Sequence, residues 1–228
     1  EITMTDDLNQ PLDRLGGTTP GAVAVRFVPA VFDVASNYYT DLLVSGSNKQ
    51  PTRDNTGTWV DLGSGKYKYT FAATLPTFDV NKPMTLFVGA SRNMTAYIGK
   101  TYYVNTFKDF TPATGAAAAT WAVTTLAKCN SCHDPLALHG GNYRDIKACV
   151  LCHNANNMAD PSIAEFNGLK FWHAIHSGND EEIGEVTYPR FALNDCEACH
   201  DPKQAQGTVY LTKPSRTACT GCHADLDF

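Results

Sequence analysis

The first 128 residues contain neither cysteine nor histidine. This part of the chain therefore lacks the thiols and imidazoles that bind zinc and most transition metals, and it has no means of forming a disulfide. No apolar run anywhere in the sequence is long enough to cross a membrane as a helix. Any metal or thiol chemistry must therefore belong to the remaining residues.

Every cysteine and histidine lies in the last hundred residues. Four copies of the pattern Cys-x-x-Cys-His, at 129–133, 149–153, 196–200 and 219–223, use all of the cysteines, which are Cys129, Cys132, Cys149, Cys152, Cys196, Cys199, Cys219 and Cys222. In this pattern two thiols form thioethers to a porphyrin and the histidine ligates its iron. The sequence therefore predicts four covalently bound c-type haems.

Other interpretations of these cysteines explain less. A Cys-x-x-Cys pair alone also suits a tetrahedral zinc site or a redox dithiol. Neither of these, nor a cystine scaffold, explains why a histidine follows the second cysteine in all four copies. Because haem is attached to thiols after export, we predict a non-cytosolic protein. No signal peptide is visible at Glu1, so we expect the chain to be already processed.

The histidines divide into two groups of predicted iron ligands. The proximal ligands are those of the four patterns, His133, His153, His200 and His223. We predict that the other three, His139, His173 and His176, are distal ligands. Four haems with two histidines each need eight, whereas the chain has seven. The spacing does not show which iron each distal histidine serves.

Four explanations are open for the missing eighth ligand. Met158, the only methionine in the haem half, could supply it and raise the potential of that haem. The iron could instead be five-coordinate and open, the ligand could come from another polypeptide, or the chain could be a piece of a longer protein. Pairing of identical copies does not help, because each copy would lend one histidine and need one back.

The change of composition near Lys128 predicts two domains, 1–127 and 128–228. In the first, apolar and polar residues alternate at 22–27 and 66–71, and further strands are predicted at 38–45, 83–90, 101–107 and 120–126. Turn-forming residues separate them at 54–57, 64–65 and 79–83. About seven short strands at this spacing predict a β-sandwich or Greek-key barrel.

The second domain is short for its predicted cofactors, so we expect loops and short helices packed around the porphyrins. One helix is predicted from a capping box of Ser162 and Glu165 to a stop at Gly178, with His173 and His176 on neighbouring faces. From Cys129 onward the chain carries 7 Lys and Arg against 13 Asp and Glu. The negative balance argues against nucleic acid as a partner.

Several segments resemble the outer-membrane decahaem cytochromes of the OmcA/MtrC type. They are 129–141, 149–154, 173–178 and 213–225 in the haem half, with 65–71, 102–105 and 120–126 before it. The resemblance implies β-domains that alternate with pentahaem domains. It also implies that such a module continues past 225–228 to another distal histidine and a fifth haem pattern. The chain would then be the β-domain and most of the first haem domain, which would explain the missing ligand.

An iron with two histidine ligands has no open position, so it suits electron relay better than bond-making. The resemblance implies transfer to metal oxides or flavins, at the extracellular face of the outer membrane or from a secreted protein. Other multihaem cytochromes or copies of the chain are the expected partners. The alternative is a subunit of an extracellular cytochrome filament. A haem reductase with one open iron is less expected, and no Cys-x-x-Cys-Lys variant is present.

Overall fold

The computed structural model describes residues 1–177 and 195–223. Its described part contains nine strands, which are β1 (Ile2–Thr3), β2 (Val23–Asp33), β3 (Tyr38–Asp41), β4 (Val44–Ser45), β5 (Gln50–Pro51), β6 (Thr58–Gly63), β7 (Lys66–Thr70), β8 (Met84–Met94) and β9 (Lys100–Phe110). A four-stranded sheet has the order β3-β2-β8-β9, a three-stranded sheet has the order β1-β7-β6, and β4 pairs with β5. All of these pairings are antiparallel.

The helices are short and nearly all follow the strands. They are α1 (Thr95–Ile98), α2 (Leu126–Cys129), α3 (Ile146–Cys152), α4 (Gly168–Ser177), α5 (Val209–Thr212) and α6 (Arg216–Cys222), with 3₁₀ turns at Ala164–Phe166 and Cys196–Ala198. In the described ranges no helix has the length and apolar character needed to cross a membrane. The predicted fold class, antiparallel β structure followed by loops and short helices, is confirmed.

The four-stranded sheet is covered on both faces because side chains alternate along each strand. One face packs against the three-stranded sheet, in a core of Met4, Leu12, Val23, Val25, Phe27 and Tyr67. The opposite face packs against α3, in a core of Val28, Ala30, Phe32, Tyr39, Phe87, Ala148, Val150 and Leu151. The second haem pattern therefore lies directly on the sheet.

The alternating patterns located most strands correctly. The strands predicted at 22–27, 66–71, 83–90 and 101–107 are confirmed as β2, β7, β8 and β9. The strand predicted at 38–45 is divided into β3 and β4. The turn predicted at 64–65 joins β6 to β7, where Ser64 and Gly65 have φ values of 51° and 72°.

The strand predicted at 120–126 is wrong. Residues 120–125 form no strand and Leu126 begins α2. The backbone of this segment bonds to the second half of the chain instead: Ala122 N–H donates to Gln206 Oε1 at 2.7 Å, and Asp201 N–H donates to the Val123 carbonyl at 3.1 Å. An alternating pattern does not distinguish a strand from a connector whose side chains are half-buried.

The predicted start of the long helix is also wrong. Asn167 has an extended ψ of 118° and separates the 3₁₀ turn from α4. Its side chain accepts a hydrogen bond from Leu169 N–H at 3.2 Å, so Asn167 takes the capping role that we assigned to Ser162. The Ser162 hydroxyl donates to Asp160 instead. The predicted stop at Gly178 lies outside the described residues.

Candidate haem-binding site

All four Cys-x-x-Cys-His patterns have the same local backbone geometry. In each, the histidine N–H donates to the carbonyl of the first cysteine, at 3.0 Å for His133, 2.9 Å for His153, 2.8 Å for His200 and 2.9 Å for His223. This bond closes one helical turn, which brings residues three and four apart to the same side of the backbone. A turn of this kind can present the thiols and the imidazole of one pattern to one porphyrin.

Side-chain caps begin three of these turns. Asp145 accepts from Lys147 N–H before α3, and Ser215 accepts from Ala218 N–H before α6. Asp195 accepts from Glu197 N–H before the third pattern. We did not predict these caps, although a signal was present. Asp145 and Ser215 each precede a first cysteine by four residues and belong to the residue types that favour N-caps.

The histidine rings form three opposed pairs. The ring centroids of His133 and His176 are 6.2 Å apart, those of His153 and His139 are 6.1 Å apart, and those of His200 and His173 are 6.5 Å apart. Each pair joins one histidine of a haem pattern to one histidine outside the patterns. The structure thus separates the three extra histidines among three patterns, which spacing alone did not show.

These separations fit an iron between the two rings. A metal to imidazole-nitrogen bond is about 2.0–2.1 Å, and the nitrogen lies about 1.1 Å from the ring centroid, so two ligands on opposite sides of one metal place their centroids about 6.3 Å apart. The three observed values lie within a few tenths of an ångström of this figure. The residues present therefore fit haem iron with two axial histidines.

Hydrogen bonds orient several of these imidazoles. Nδ1–H donates to a backbone carbonyl in His153 (Phe166 O, 3.0 Å), His173 (Leu169 O, 2.6 Å) and His176 (Trp172 O, 2.8 Å). A carbonyl can only accept, so the proton is on Nδ1 and the Nε2 lone pair is free for a metal. The same bonds raise the basicity of the ligand, which lowers the potential of the iron that it binds.

His139 is presented by a tight turn. Leu138 and Tyr143 are bridged by two backbone hydrogen bonds, Leu138 N to Tyr143 O at 2.9 Å and Tyr143 N to Leu138 O at 3.3 Å. Between them His139, Gly140 and Gly141 have φ values of 51°, 69° and 83°. Successive left-handed residues are favourable mainly for glycine, which explains the Gly-Gly after the histidine.

Tyr143 fixes that turn to the sheet. Its ring stacks on Phe87 with centroids 5.4 Å apart, and it meets the His139 ring edge-on at the same distance. Phe87 is fully buried in the four-stranded sheet. On the other element of this site, the Phe171 ring of α4 lies nearly parallel to His153 at 5.5 Å. The sheet and α4 therefore both hold the second histidine pair.

α4 and α6 come close to each other at a glycine of the fourth pattern. A Cβ added to Gly221 would lie 2.6 Å from His173 Cβ and 2.7 Å from the Lys170 carbonyl oxygen. The equivalent position is Leu151 in the second pattern, where the side chain is fully buried against the sheet. It is Ser131 and Ala198 in the first and third patterns, where the residue is exposed. The residue before the second cysteine therefore differs according to what each turn packs against.

A polar network fixes α3 to the sheet beside its apolar contacts. Lys147 Nζ lies 2.5 Å from Asp109 Oδ2 of β9 and donates to Thr120 Oγ1 at 2.9 Å. Asp109 Oδ1 accepts from the Thr85 hydroxyl at 2.6 Å, and that hydroxyl lies 2.9 Å from Tyr39 Oη. The Lys147 and Asp109 side chains are 17% and 29% exposed, so the ion pair is largely removed from water.

Burial shifts the pKa of several groups at these sites. It lowers the pKa of His153 and His200, which favours the neutral imidazole that a metal needs. Burial also raises the pKa of the Cys129 thiol to about 11 and that of Cys149 to about 12, with smaller contributions from Asp145 and from neighbouring cysteines.

Two further observations bear on the competing interpretations. Within 1–177 and 195–223, no three His, Cys, Asp or Glu side chains converge as a metal site would require. The sulfur atoms of the seven cysteines whose side chains are described are not bonded to one another. Two histidines on opposite sides of a porphyrin, with the remaining iron ligands supplied by that porphyrin, match this arrangement.

The eighth-ligand question concerns His223. Its ring is exposed, and in the part of the chain that the structure describes it has no opposed histidine. Met158 is 6% exposed, and its N–H donates to the Asn154 carbonyl at 2.9 Å just after the second pattern. Met158 as the missing axial ligand therefore remains one of the four open explanations.

Comparison with known proteins identifies the family. Residues 122–227 match the family model of outer membrane cytochromes of the MtrC/MtrF-like type, domains II/IV. Multiheme cytochrome MtrC of Shewanella baltica (strain OS185) is 31% identical over 182 residues, which are 75% of this chain and 26% of that protein. The chain thus spans about a quarter of that relative's length.

Two solved structures have the same fold. The crystal structure of MtrC from Shewanella baltica OS185 superposes with a TM-score of 0.70 at 23% identity, covering 99% of this chain and 37% of the other. The crystal structure of the outer membrane decaheme cytochrome OmcA superposes with a TM-score of 0.65 at 23% identity, covering 97% of this chain and 40% of the other. The family model, the curated relative and the shared fold agree with the four haem patterns, and the chain belongs to the MtrC/OmcA family of outer-membrane multihaem cytochromes.

Proposed function

We propose that this chain carries electrons along a set of closely spaced c-type haems. The observation that supports this most strongly is the set of three opposed histidine pairs, each combining one haem pattern with one further histidine at the separation that an iron needs. A site with both axial positions taken by the protein is closed to substrate and suits electron relay.

The ligand assignment follows from the pairs. His133 and His176 would hold the first haem, His153 and His139 the second, and His200 and His173 the third. His223 would be the proximal ligand of a fourth. The thioether bonds would come from the two cysteines of each pattern. The division into domains at 1–127 and 128–228 remains a prediction, and the shared core of β2, β8 and α3 would then be the contact between the domains.

Haem supplies an iron that exchanges one electron between its ferric and ferrous forms. The chain's own residues orient and shield that group. The carbonyls of Leu169 and Trp172 fix the two imidazoles of α4, while burial keeps His153 and His200 neutral. The sheet holds α3 through Leu151 and Lys147, so these contacts would keep the second pattern in place when its haem gains or loses an electron.

The position of the patterns supports rapid transfer between neighbours. His173 and His176 are three residues apart on α4 and face two different patterns. Lys128 Nζ, beside the first pattern, donates to the carbonyl of Glu197 in the third at 2.6 Å. The first and third haems would therefore be close neighbours.

Family membership supports a site of action at the extracellular face of the outer membrane or beyond it. The acceptors that we propose are metal oxides and flavins, and the proposed protein partners are other multihaem cytochromes. A filament subunit and a reductase with an open iron are alternatives. No observation of the described residues favours either over relay, and any open position would be at His223.

Rapid mixing tests the proposal. The haem-loaded protein is reduced anaerobically and mixed with a soluble ferric chelate, an oxidised flavin or nitrite, while haem absorbance is followed. We expect oxidation by the chelate and the flavin and no turnover of nitrite. Haem analysis should give four per chain. Steady nitrite turnover together with a high-spin ferric signal would replace relay by a reductase, and haems that stay reduced with all acceptors would exclude both.

A further inference from the structure

β9 has an open edge. It pairs with β8 along all eleven residues, and in the described ranges only its end has backbone partners on the other side. There the Asp109 carbonyl accepts from Ala118 N–H at 3.4 Å, and Thr111 N–H donates to the Ala116 carbonyl at 2.9 Å. On the face toward the haem half, the Asn105 side chain bonds to the backbone of Asn142 and Arg144. Backbone groups alternate in direction along a strand, so those of residues 101, 103, 105 and 107 point to the same side as Asp109. In the described ranges these groups have no backbone partner.

The inner face of β9 is open as well. Cross-strand neighbours from β2 through β8 to β9 run from buried to exposed: Val25 is 7% exposed, Ala90 is half-buried and Val104 is 56% exposed. In the next set of cross-strand neighbours, Val23 of β2 is 7% exposed and Tyr102 of β9 is 53% exposed. The three-stranded sheet therefore covers β2 and β8 and leaves β9 uncovered. One more strand beside β9 would extend both the hydrogen-bond ladder and this apolar face.

Two lysines define the charge of that surface. Lys100 and Lys108 are exposed and share the face of Tyr102 and Val104, one at each end. Neither forms an ion pair in the part of the chain described here. Antiparallel pairing of two copies about Val104 would place Lys100 opposite Lys108, and like charges directly opposite one another oppose pairing. The surface therefore disfavours a second copy and complements a strand with acidic ends.

We propose that the β9 edge docks an extended segment of a partner protein. The segment places alternate β-branched or apolar side chains beside Tyr102 and Val104, with an acidic residue at each end beside Lys100 and Lys108. Its backbone pairs with the free groups of residues 101 to 107. This contact attaches the β half of the chain to another protein.

A designed peptide tests the contact. The probe is the nonapeptide Glu-Thr-Val-Thr-Val-Thr-Val-Thr-Glu, titrated calorimetrically into the haem-loaded protein. The double variant Lys100→Glu and Lys108→Glu should bind it about tenfold more weakly, and it should regain affinity for the peptide with lysine at both ends. The matched control is Lys66→Glu with Lys68→Glu, which changes two exposed lysines of β7 and should leave the affinity unchanged.

Hydrogen exchange identifies the mode of binding. On peptide addition the amides of Tyr103, Asn105 and Phe107 should exchange more slowly, while those of Tyr102 and Val104, which already face β8, should not change. Absence of binding by both peptides, or binding without this alternation, would overturn the proposal. So would a dimer of the unliganded protein with the same alternating protection, because the occupant would then be a second copy.

Discussion

Replacement of Gly221 by alanine tests the contact between α4 and α6. The new Cβ would lie 2.6 Å from His173 Cβ, 2.7 Å from the Lys170 oxygen and 3.0 Å from the Ala174 nitrogen. Ordinary contacts begin at 3.4 Å, so the helices must separate by roughly 0.8 Å. All three contact atoms are backbone or Cβ atoms of α4, and these atoms have no rotamer through which to move away.

Two effects of opposite sign then compete. Alanine is favoured over glycine in a helix interior by about 1 kcal/mol, whereas overpacking a close contact costs about 1–3 kcal/mol. We therefore expect the free energy of unfolding to fall by up to about 2 kcal/mol. Because the new Cβ contacts His173 directly, we also expect a shift in the low-spin ferric signal of the haem that His173 would bind.

The assay combines guanidinium unfolding with electron paramagnetic resonance of the oxidised, haem-loaded protein. The control is Gly17→Ala, where the new Cβ would meet only Asp13 Oδ2 at 3.2 Å, far along the chain from the haem patterns. The signal assigned to His173 and His200 should shift in Gly221→Ala alone. A Gly221→Ala variant with unchanged signals and about 1 kcal/mol more stability would show helix propensity acting alone, and would refute the contact.

Three further substitutions have defined outcomes. Replacing Lys147 by Met or Asp109 by Asn should each lower the free energy of unfolding by about 2 kcal/mol, because each single change leaves an unpaired charge half-buried. Denaturant unfolding of the double variant should show a loss smaller than the sum of the two single losses, whereas strict additivity would show that the pair does not interact. Phe87→Ala should lower the free energy of unfolding by about 3–5 kcal/mol and, because Tyr143 stacks on Phe87, should shift the paramagnetic resonance signal assigned to His139 and His153. The control Val60→Ala, at a side chain 53% exposed, should change the free energy of unfolding little. Burial raises the pKa of Asp41 from 3.8 to about 8. The unfolded chain therefore loses this proton first, and stability should fall as pH rises through this window. The variant Asp41→Asn should lack this pH-dependent loss, so the difference in unfolding free energy between the variant and the unchanged protein should grow in the variant's favour from pH 5 to pH 8. An equal difference at both pH values would contradict the raised pKa of Asp41.

Local patterns predicted what depends on local structure. The period of two in 22–27 and 66–71 located β2 and β7, because one face of each strand is buried and the alternation records that face. The four Cys-x-x-Cys-His copies likewise share one helical turn, while haem binding by these residues remains a prediction. These features need only neighbouring residues, so sequence is sufficient for them.

Tertiary contacts decided the rest. Nothing in the spacing of His139 shows that it meets His153, because the turn that presents it is held by Phe87, more than fifty residues earlier in the chain. The same holds for Leu151, which a sequence interpretation centred on haem treats as a spacer and the structure buries completely against the sheet. Asn167 shows a third limit, since two capping residues compete nearby and packing selects one.

α4 has a consequence for how the protein matures. The helix is ten residues long and carries His173 and His176, the proposed ligands of two different haems, so attachment of either haem would order the same helix. Under the proposed ligand assignment, whichever of the first and third haems is attached earlier would order α4 and position the second imidazole in advance. The conformational entropy lost when α4 becomes ordered would then be lost only once for both haems. We expect the two haems to be incorporated as a pair, with few molecules holding only one of them.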